Sequence, residues 1–220
     1  MKLSLSTLAV AAFLALSAFA ADAPRVLFEE KFSGSLSAGW RWMHERPDAW
    51  RLADGALVVD TLPGSYWQKQ DSAQNTLLRP APVSAKDGFI VEVLLENEPA
   101  KQYEHAGLIL YFDSFNHVVF NKEFIGKQEL FMVSAQDGNP AVGPAKAYRG
   151  REVWLRLVVR GTKATGFFRS SENEPWQKLD ERTIPTSDRE MLIGLHSGYG
   201  SDKRERQARF RKFRVLQEGE

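Results

Sequence analysis

The stretch that decides the fold is residues 103–135, YEHAGLILYFDSFNHVVFNKEFIGKQELFMVSA. It consists of three short segments rich in apolar, β-branched and aromatic residues, and two groups of turn-forming residues separate them, at 113–116 (DSFN) and 126–127 (GK). Runs of this kind bounded by Asp, Ser, Asn and Gly are typical of strands joined by tight turns. The stretch therefore predicts an antiparallel meander of three strands.

The same stretch mixes aromatic side chains with polar ones. Because side chains alternate between the two faces of a strand, the odd-numbered Ile109, Tyr111, Asn121 and Glu123 share one face of the meander. That face is either the floor of a ligand groove or part of the core between two sheets. A carboxylate buried in a core without a partner is costly, so we predict that these residues line a groove.

Working outward, the alternation of apolar and other residues over Phe89–Glu96 and again over Val153–Arg160 predicts two further half-buried strands. Glycine, proline and asparagine punctuate the remainder into more than ten short strand-like segments, and no amphipathic helix of three turns is evident. This pattern predicts an all-β protein built as a β-sandwich or jelly roll of two antiparallel sheets.

The amino-terminal segment has the pattern of an export signal. Lys2 is followed by an apolar run and by the small-residue triplet at 18–20 (AFA), which is typical of a signal peptide. We expect residues 1–20 to be removed, leaving residues 21–220 as a single domain that is secreted or periplasmic in a bacterial envelope. No later segment is long and apolar enough to span a bilayer.

Composition excludes several classes of function. One of the 29 basic residues and none of the 28 acidic residues lie in the predicted signal, so the mature chain carries 28 of each. This balance argues against a nucleic-acid partner. The chain has no cysteine, which rules out thiol catalysis and cysteine-bound zinc. Its six tryptophans can serve as core residues or as stacking surfaces for sugars. Composition does not fix the oligomeric state.

Three segments resemble a known family. They are WLRLVVRGTKATGFFRSSENEPWQKL at 154–179, HAGLILYFDSFNHVVF at 105–120, and IGLHSGYG at 193–200 followed by ARFRKFRV at 208–215. Together they are similar to concanavalin A-like lectin and glucanase sandwiches, particularly the C-terminal domain of family 43 glycosidases and a domain of unknown function named for regulation of enolase. The resemblance runs over about Val26 to Val215 and implies a concanavalin A-like β-sandwich with a carbohydrate-related role.

One departure from the resembled families concerns calcium. Those families often carry acidic residues between the two closing phenylalanines, where they help to hold a structural calcium ion. Here Arg211 and Lys212 occupy those positions. We therefore expect no cofactor, and Glu29 with Glu30 is the alternative source of oxygen ligands for calcium.

The main functional hypothesis is binding of a saccharide or polysaccharide. Sugars present apolar C–H faces ringed by hydroxyl groups, so their sites combine aromatic rings with hydrogen-bonding side chains. The candidate residues for such a site on the concave sheet are Trp42, Arg46, Trp67, His105, Tyr111, Asn121, Glu123 and His196.

The alternative hypothesis is a glycoside hydrolase or a related sugar-processing enzyme. Glycosidases use two carboxylates, and Glu92 with Glu96 lies on one strand face at a spacing similar to the laminarinase-type glucanase motif. Leu94 stands where that motif has a third acidic residue. Glu123 near a histidine is a second candidate. No serine lies in a G-x-S-x-G context, so a serine nucleophile has no support. A third possibility is an interaction module of the envelope, which predicts an exposed apolar patch and no sugar affinity.

Overall fold

A computed structural model describes residues 24–218 of the chain. The predicted signal peptide at 1–20 lies outside the described residues, and the division at residue 20 stays a prediction. Sixteen strands and one short 3-10 helix, Pro47–Ala49, make up the regular structure of the described part. No helix between residues 24 and 218 has both the length and the apolar character needed to cross a bilayer.

The strands follow one another through the whole described chain. In chain order they are β1 (Val26–Glu30), β2 (Arg41–Met43), β3 (Trp50–Ala53), β4 (Ala56–Asp60), β5 (Thr76–Pro80), β6 (Phe89–Glu96), β7 (His105–Asp113), β8 (Asn116–Phe124), β9 (Gln128–Gln136), β10 (Asn139–Val142), β11 (Lys146–Ala147), β12 (Glu152–Arg160), β13 (Lys163–Arg169), β14 (Gln177–Thr183), β15 (Leu192–Gly198) and β16 (Gln207–Gln217).

These strands form two antiparallel sheets of eight strands each. The first sheet has the order β14-β13-β12-β6-β16-β4-β3, and β1 pairs with the second half of β16. The second sheet has the order β10-β9-β8-β7-β15-β5-β2, and β11 also pairs with β9. The predicted meander is β7-β8-β9 near the middle of the second sheet, and the prediction of an all-β sandwich of two antiparallel sheets is confirmed.

The main core lies between the two sheets and follows the period of two. From the first sheet, Val91 and Leu157 point inward with their alternate neighbours, and from the meander the even-numbered Leu108, Phe120 and Met132 do so. The odd-numbered positions of the meander therefore face away from this core. Their apolar members form a second, smaller cluster on the outer face of the second sheet, where Ile109, Tyr111 and Val119 belong to it.

No strand was predicted from the sequence for the segment that forms the edge strand β10. Asp137 and Gly138 both have positive φ, 52° and 75°, as a type I′ hairpin turn requires. The chain returns from this turn as β10 and pairs with β9. Pro140 obscured the strand in the sequence because proline is confined to edge strands and bulges, and β10 is an edge strand.

Candidate functional site

A pocket of about 340 Å³ opens on the outer face of the second sheet. Its floor is formed by odd-numbered residues of the meander together with one residue of β15, and loops at both ends of the strands form its walls. The lining residues are Ser65, Tyr66, Trp67, Gln68, Tyr103, His105, His117, Val119, Asn121, Glu123, Ile125, Phe131, Val133, Ala135, Pro140, Val142, His196 and Tyr199.

A loop that we call the strap, residues 63–75, crosses the sheet and closes one end of this groove. Its neck is fixed by two hydrogen bonds, from Ser72 N to Ser65 O (3.1 Å) and from Ser65 N to Ser72 Oγ (3.2 Å). Near its tip, Gln68 lies against the β9–β10 turn, since a Cβ added at Gly138 would be 3.0 Å from the Gln68 carbonyl oxygen. The strap therefore converts an open groove into a pocket closed at one end.

The polar part of the floor is organised around a glycine. His196 on β15 and Asn121 on β8 are both registered against Gly107, which lies on β7 between them. Because Gly107 has no side chain, His196 Nε2 donates a hydrogen bond to Asn121 Oδ1 (2.7 Å) over the intervening strand. In the next row, His105 and Glu123 are paired across β7 and β8, with His105 Nδ1 at 3.7 Å from Glu123 Oε2.

These hydrogen bonds fix which ring nitrogens are hydrogen-bond donors and which are acceptors. A carbonyl oxygen only accepts, so His196 carries its proton on Nε2, and His105 carries its proton on Nδ1, which donates to the Tyr103 carbonyl oxygen (2.9 Å). The second ring nitrogen of each histidine is then an acceptor. His117 adds a buried Nδ1 that has no protein partner. The floor thus offers both donors and acceptors.

Burial keeps this cluster uncharged near neutral pH. Burial lowers the pKa of His105 to about 4 and that of His117 to about 4, and it holds the pKa of His196 well below its usual value. Burial also raises the pKa of Glu123 to about 8, although the Asn121 side chain opposes the rise. At pH 7 the carboxyl of Glu123 is therefore mostly protonated and can donate a hydrogen bond.

Aromatic side chains shape the pocket above this floor. Tyr66 of the strap packs against Tyr111 and His117, with ring centroids 5.6 and 5.9 Å apart. At the opposite end, the rings of Tyr103 and Tyr199 are 5.7 Å apart. Tyr103 and Tyr199 have positive φ, 69° and 54°. Non-glycine residues in this region carry strain that often accompanies a functional site.

The structure brings together most of the residues predicted for sugar binding. Trp67, His105, Asn121, Glu123 and His196 all line the pocket. Tyr111 has the same outward orientation but lies behind Tyr66, which covers it.

Trp42 and Arg46, which were also predicted for the sugar site, do not line the pocket. Trp42 packs against the inter-sheet core and stacks on Trp50 at 4.7 Å between ring centroids. Arg46 is exposed and pairs with Asp48 at 3.5 Å. On β2 the side chain of Trp42 is on the inner face, while Met43 points outward. Alternation alone does not say which of these two faces the other sheet covers.

Glu92 and Glu96, the predicted acidic pair, lie on the outer face of the first sheet, so they do not share a site with Glu123. Both are buried by arginine side chains. Glu92 pairs with Arg156 and with Arg214 (2.8 Å), while Glu96 pairs with Arg151 (2.7 Å) and Arg211. This arrangement is an ion-pair ladder that supports the sheet, not a pair of carboxylates flanking a cavity.

The residues named for calcium do not fit that ion. Glu30 accepts hydrogen bonds from Phe32 N (3.0 Å), Ser37 N (2.9 Å) and Trp40 Nε1 (3.0 Å), so N–H donors already surround its carboxylate. Calcium requires six to eight oxygen ligands. Glu29 is exposed, and within residues 24–218 no three or more histidine or acidic side chains are grouped as metal ligands would be. Glu30 instead anchors the loop that follows β1.

Several lining residues were missed by the sequence prediction. Phe131 and Val133 are odd-numbered positions of the third meander strand, so extending the alternation argument to β9 would have found them. His117 lies on the same outward face. Tyr66, Tyr103 and Val142 come from the strap, a loop and the edge strand, and no local pattern marks them.

The fold and the pocket define the protein as a concanavalin A-like β-sandwich with a recess on the outer face of one sheet. Residues 29–214 match the family described as the beta xylosidase C-terminal concanavalin A-like domain, and the chain belongs to that family. The resemblance predicted from the sequence is thus confirmed. No curated protein matches the chain.

Solved structures show the same fold. The GH43 BlXynB protein from Bacillus licheniformis is similar with a TM-score of 0.76 and 17% identity, over 86% of this chain and 39% of that chain. Xylan beta-1,4-xylosidase from Bacillus halodurans C-125 gives 0.70 and 17%, over 86% and 38%. A functionally unknown protein from Saccharomyces cerevisiae gives 0.65 and 17%, over 83% and 98%. The chain therefore spans about two fifths of the two Bacillus structures.

Proposed function

We propose that this protein binds a neutral saccharide, without cleaving it, in the pocket on the outer face of the second sheet. The observation that carries the proposal is a recess whose polar floor is uncharged at neutral pH and offers both donors and acceptors. Hydroxyl groups need both kinds of partner, and a neutral sugar brings no charge that the floor must balance. Trp67 at the mouth supplies the aromatic face on which a sugar ring stacks.

The size of the pocket limits the length of the saccharide that can bind. Its volume of about 340 Å³ is at the small end of the range for small-molecule sites, and the strap closes one end. A short saccharide, or the terminal unit of a longer one, fits this shape better than the middle of a polysaccharide chain. Family membership supports a carbohydrate-related role, and the signal-like segment at 1–20 supports export to the periplasm or the medium.

Isothermal titration of the full chain with methyl glycosides of xylose, arabinose, glucose, galactose and mannose tests the proposal. We expect saturable binding of at least one sugar. Trp67→Ala should weaken this binding by about tenfold, because an aromatic ring that stacks on the ligand contributes about 1–2 kcal/mol to the binding free energy. Phe115→Ala is the matched control, since Phe115 is as exposed as Trp67 (39% for each) but does not line the pocket. Absence of binding to every sugar would refute the proposal.

A second candidate function, glycoside hydrolysis by Glu123, is favoured by the raised pKa of this residue. A carboxylic acid that keeps its proton at neutral pH is suited to act as a general acid. Glu123 is the one carboxylate among the described lining residues, whereas the usual mechanism uses two. Release of reducing sugar from oligosaccharides that is lost in Glu123→Gln and kept in Glu92→Gln would establish hydrolysis; binding without turnover would favour the first proposal.

A further inference from the structure

The pocket is divided into a polar half and an apolar half. Four polar residues of β7, β8 and β15 lie together at one side of the floor: His105, Asn121, Glu123 and His196. The fifth, His117, lies beyond Val119 on β8. Towards the other edge of the sheet, the register places Val119 of β8 beside Val133 of β9, and Val133 beside Val142 of β10. The second half is therefore a continuous strip of valine side chains across three neighbouring strands.

Phe131 connects the two halves. It is registered directly against Asn121, so its ring lies at the boundary between the hydrogen-bonding residues and the valine strip. Ala135 and Pro140, which are registered against each other one step nearer the strap, continue the apolar surface. The valine, alanine and proline side chains of this half carry no hydrogen-bonding group, so a hydroxyl placed over them would lose its bonds to water without replacement. The nearest polar side chain of the floor is His117, which is registered against Ala135.

The mouth of the pocket is apolar as well. Six large apolar side chains are exposed among the described residues, and four of them, Trp67, Tyr103, Ile125 and Val142, line this one pocket. Exposed apolar groups concentrated at one recess mark a binding surface. Aromatic rings at the mouth are explained by stacking on a sugar, but the exposed Val142 and the valine strip behind it are not.

We propose that the natural ligand is a glycoside carrying an apolar aglycone, with its sugar on the polar half and its aglycone on the strip of Val119, Val133 and Val142. This inference rests on the proposed saccharide function and assigns a use to the half of the pocket that a sugar leaves unfilled. The two halves are continuous through Phe131, so one ligand spans both. An aryl or short alkyl group contributes affinity by removing apolar surface from water.

Matched ligands provide the test. Isothermal titration compares methyl and phenyl 1-thioglycosides of each of the five sugars named above, because the sulfur link resists hydrolysis. We expect the phenyl compound to bind about tenfold more tightly than the methyl compound of the preferred sugar. In Val142→Asn this ratio falls to about twofold. Val26→Asn is the control, since Val26 is as exposed (53% against 54%) and lies on the other sheet.

A second variant on β9 shows whether the effect of Val142→Asn comes from a change in the edge strand β10. Val133→Thr keeps the branched shape of the side chain and adds one hydroxyl to the strip, so it lowers the same ratio by placing a polar group against the aglycone. Equal affinity for methyl and phenyl compounds in the wild-type protein overturns this inference and leaves the saccharide proposal standing. Failure of every glycoside to bind overturns the saccharide proposal itself, and so does thiophenol binding as tightly as the phenyl compound.

Discussion

His196 donates a 2.7 Å hydrogen bond to Asn121, and the two residues reach each other across the intervening strand β7 because Gly107 lies between them. The two residues are 75 positions apart in the chain. Their contact holds the polar half of the pocket together and fixes the proton of His196 on Nε2. The absence of a side chain at position 107 is therefore a structural requirement of the site.

Replacing Gly107 with alanine should disrupt both the fold and the pocket. The added Cβ would lie 1.9 Å from the carbonyl oxygen of Phe120 and 2.8 Å from Asn121 Oδ1, so β7 and β8 must shift apart. We expect a loss of about 3 kcal/mol in the free energy of unfolding. Gly161→Ala is the control: its Cβ would meet open space, and only its positive φ opposes a side chain, at a cost of about 1 kcal/mol. Equal losses in urea denaturation would contradict the prediction.

Glu123 should make stability depend on pH in a definite direction. Its pKa rises from 4.5 to about 8 on folding, mainly through burial, so the folded protein keeps a proton that the unfolded chain has released. The stability from this proton is fully present below pH 4.5 and is lost as pH rises to about 8. Relative to Glu123→Gln, the wild-type protein should lose roughly 4 kcal/mol over that window.

Denaturant unfolding of both proteins at pH 4.5, 6, 7 and 8.5 measures this difference. The histidines of the pocket titrate in part of the same range with the opposite effect, because their folded pKa values are lowered. Taking the difference between the wild-type protein and Glu123→Gln removes their contribution. A difference that stays constant over this range would mean that Glu123 ionises normally.

Lys122 should make stability depend on pH in the opposite direction, and at higher pH than Glu123 does. Its buried Nζ donates to the carbonyl oxygens of Asn97 (2.5 Å) and Gly150 (2.6 Å), and burial lowers its pKa from 10.5 to about 8. Between these values the unfolded chain holds more protons than the folded protein, so stability rises with pH. The wild-type protein should gain roughly 3 kcal/mol relative to Lys122→Met from pH 8 to 10.5. A parallel pH dependence of the two proteins would refute this.

Glu92→Gln should lower stability without changing ligand binding. The substitution leaves Arg156 and Arg214 beside a neutral group in a site where the carboxylate is buried, and breaking a buried ion pair costs roughly 3 kcal/mol or more. Glu181→Gln on β14 of the same sheet removes exposed pairs and should cost less than about 1 kcal/mol. Thermal melts compare the two variants, and titration with sugar at a temperature where Glu92→Gln is folded checks that binding survives.

The prediction of strands from the sequence worked wherever the alternation of side chains was regular. Phe89–Glu96 was predicted with the bounds that the structure shows, and the meander was predicted to within two residues at each end. The outward orientation of Asn121 and Glu123 also followed from alternation. These successes have one cause, because the period of two is a property of the extended backbone and needs no partner.

Predictions that combined residues from separate segments were less successful. Trp42 and Trp67 both looked like sugar-stacking residues, but Trp42 belongs to the inner face of its strand and Trp67 to a loop that crosses the outer face of the sheet. Glu92 and Glu123 both lie on regular strands, yet they belong to different sheets. A local pattern shows that a strand has two faces, but it does not show which of them the neighbouring sheet covers.

The sequence by itself determined that this chain is a β-sandwich, which residues of the meander share a face, and to which family it is similar. Only the tertiary structure decided that His196 meets Asn121 over Gly107, that the strap closes the groove, and that Val142 extends the strip of Val119 and Val133. The reason is physical: strand formation depends on local backbone geometry, whereas strand order, register and the path of a loop depend on packing between segments far apart in the chain.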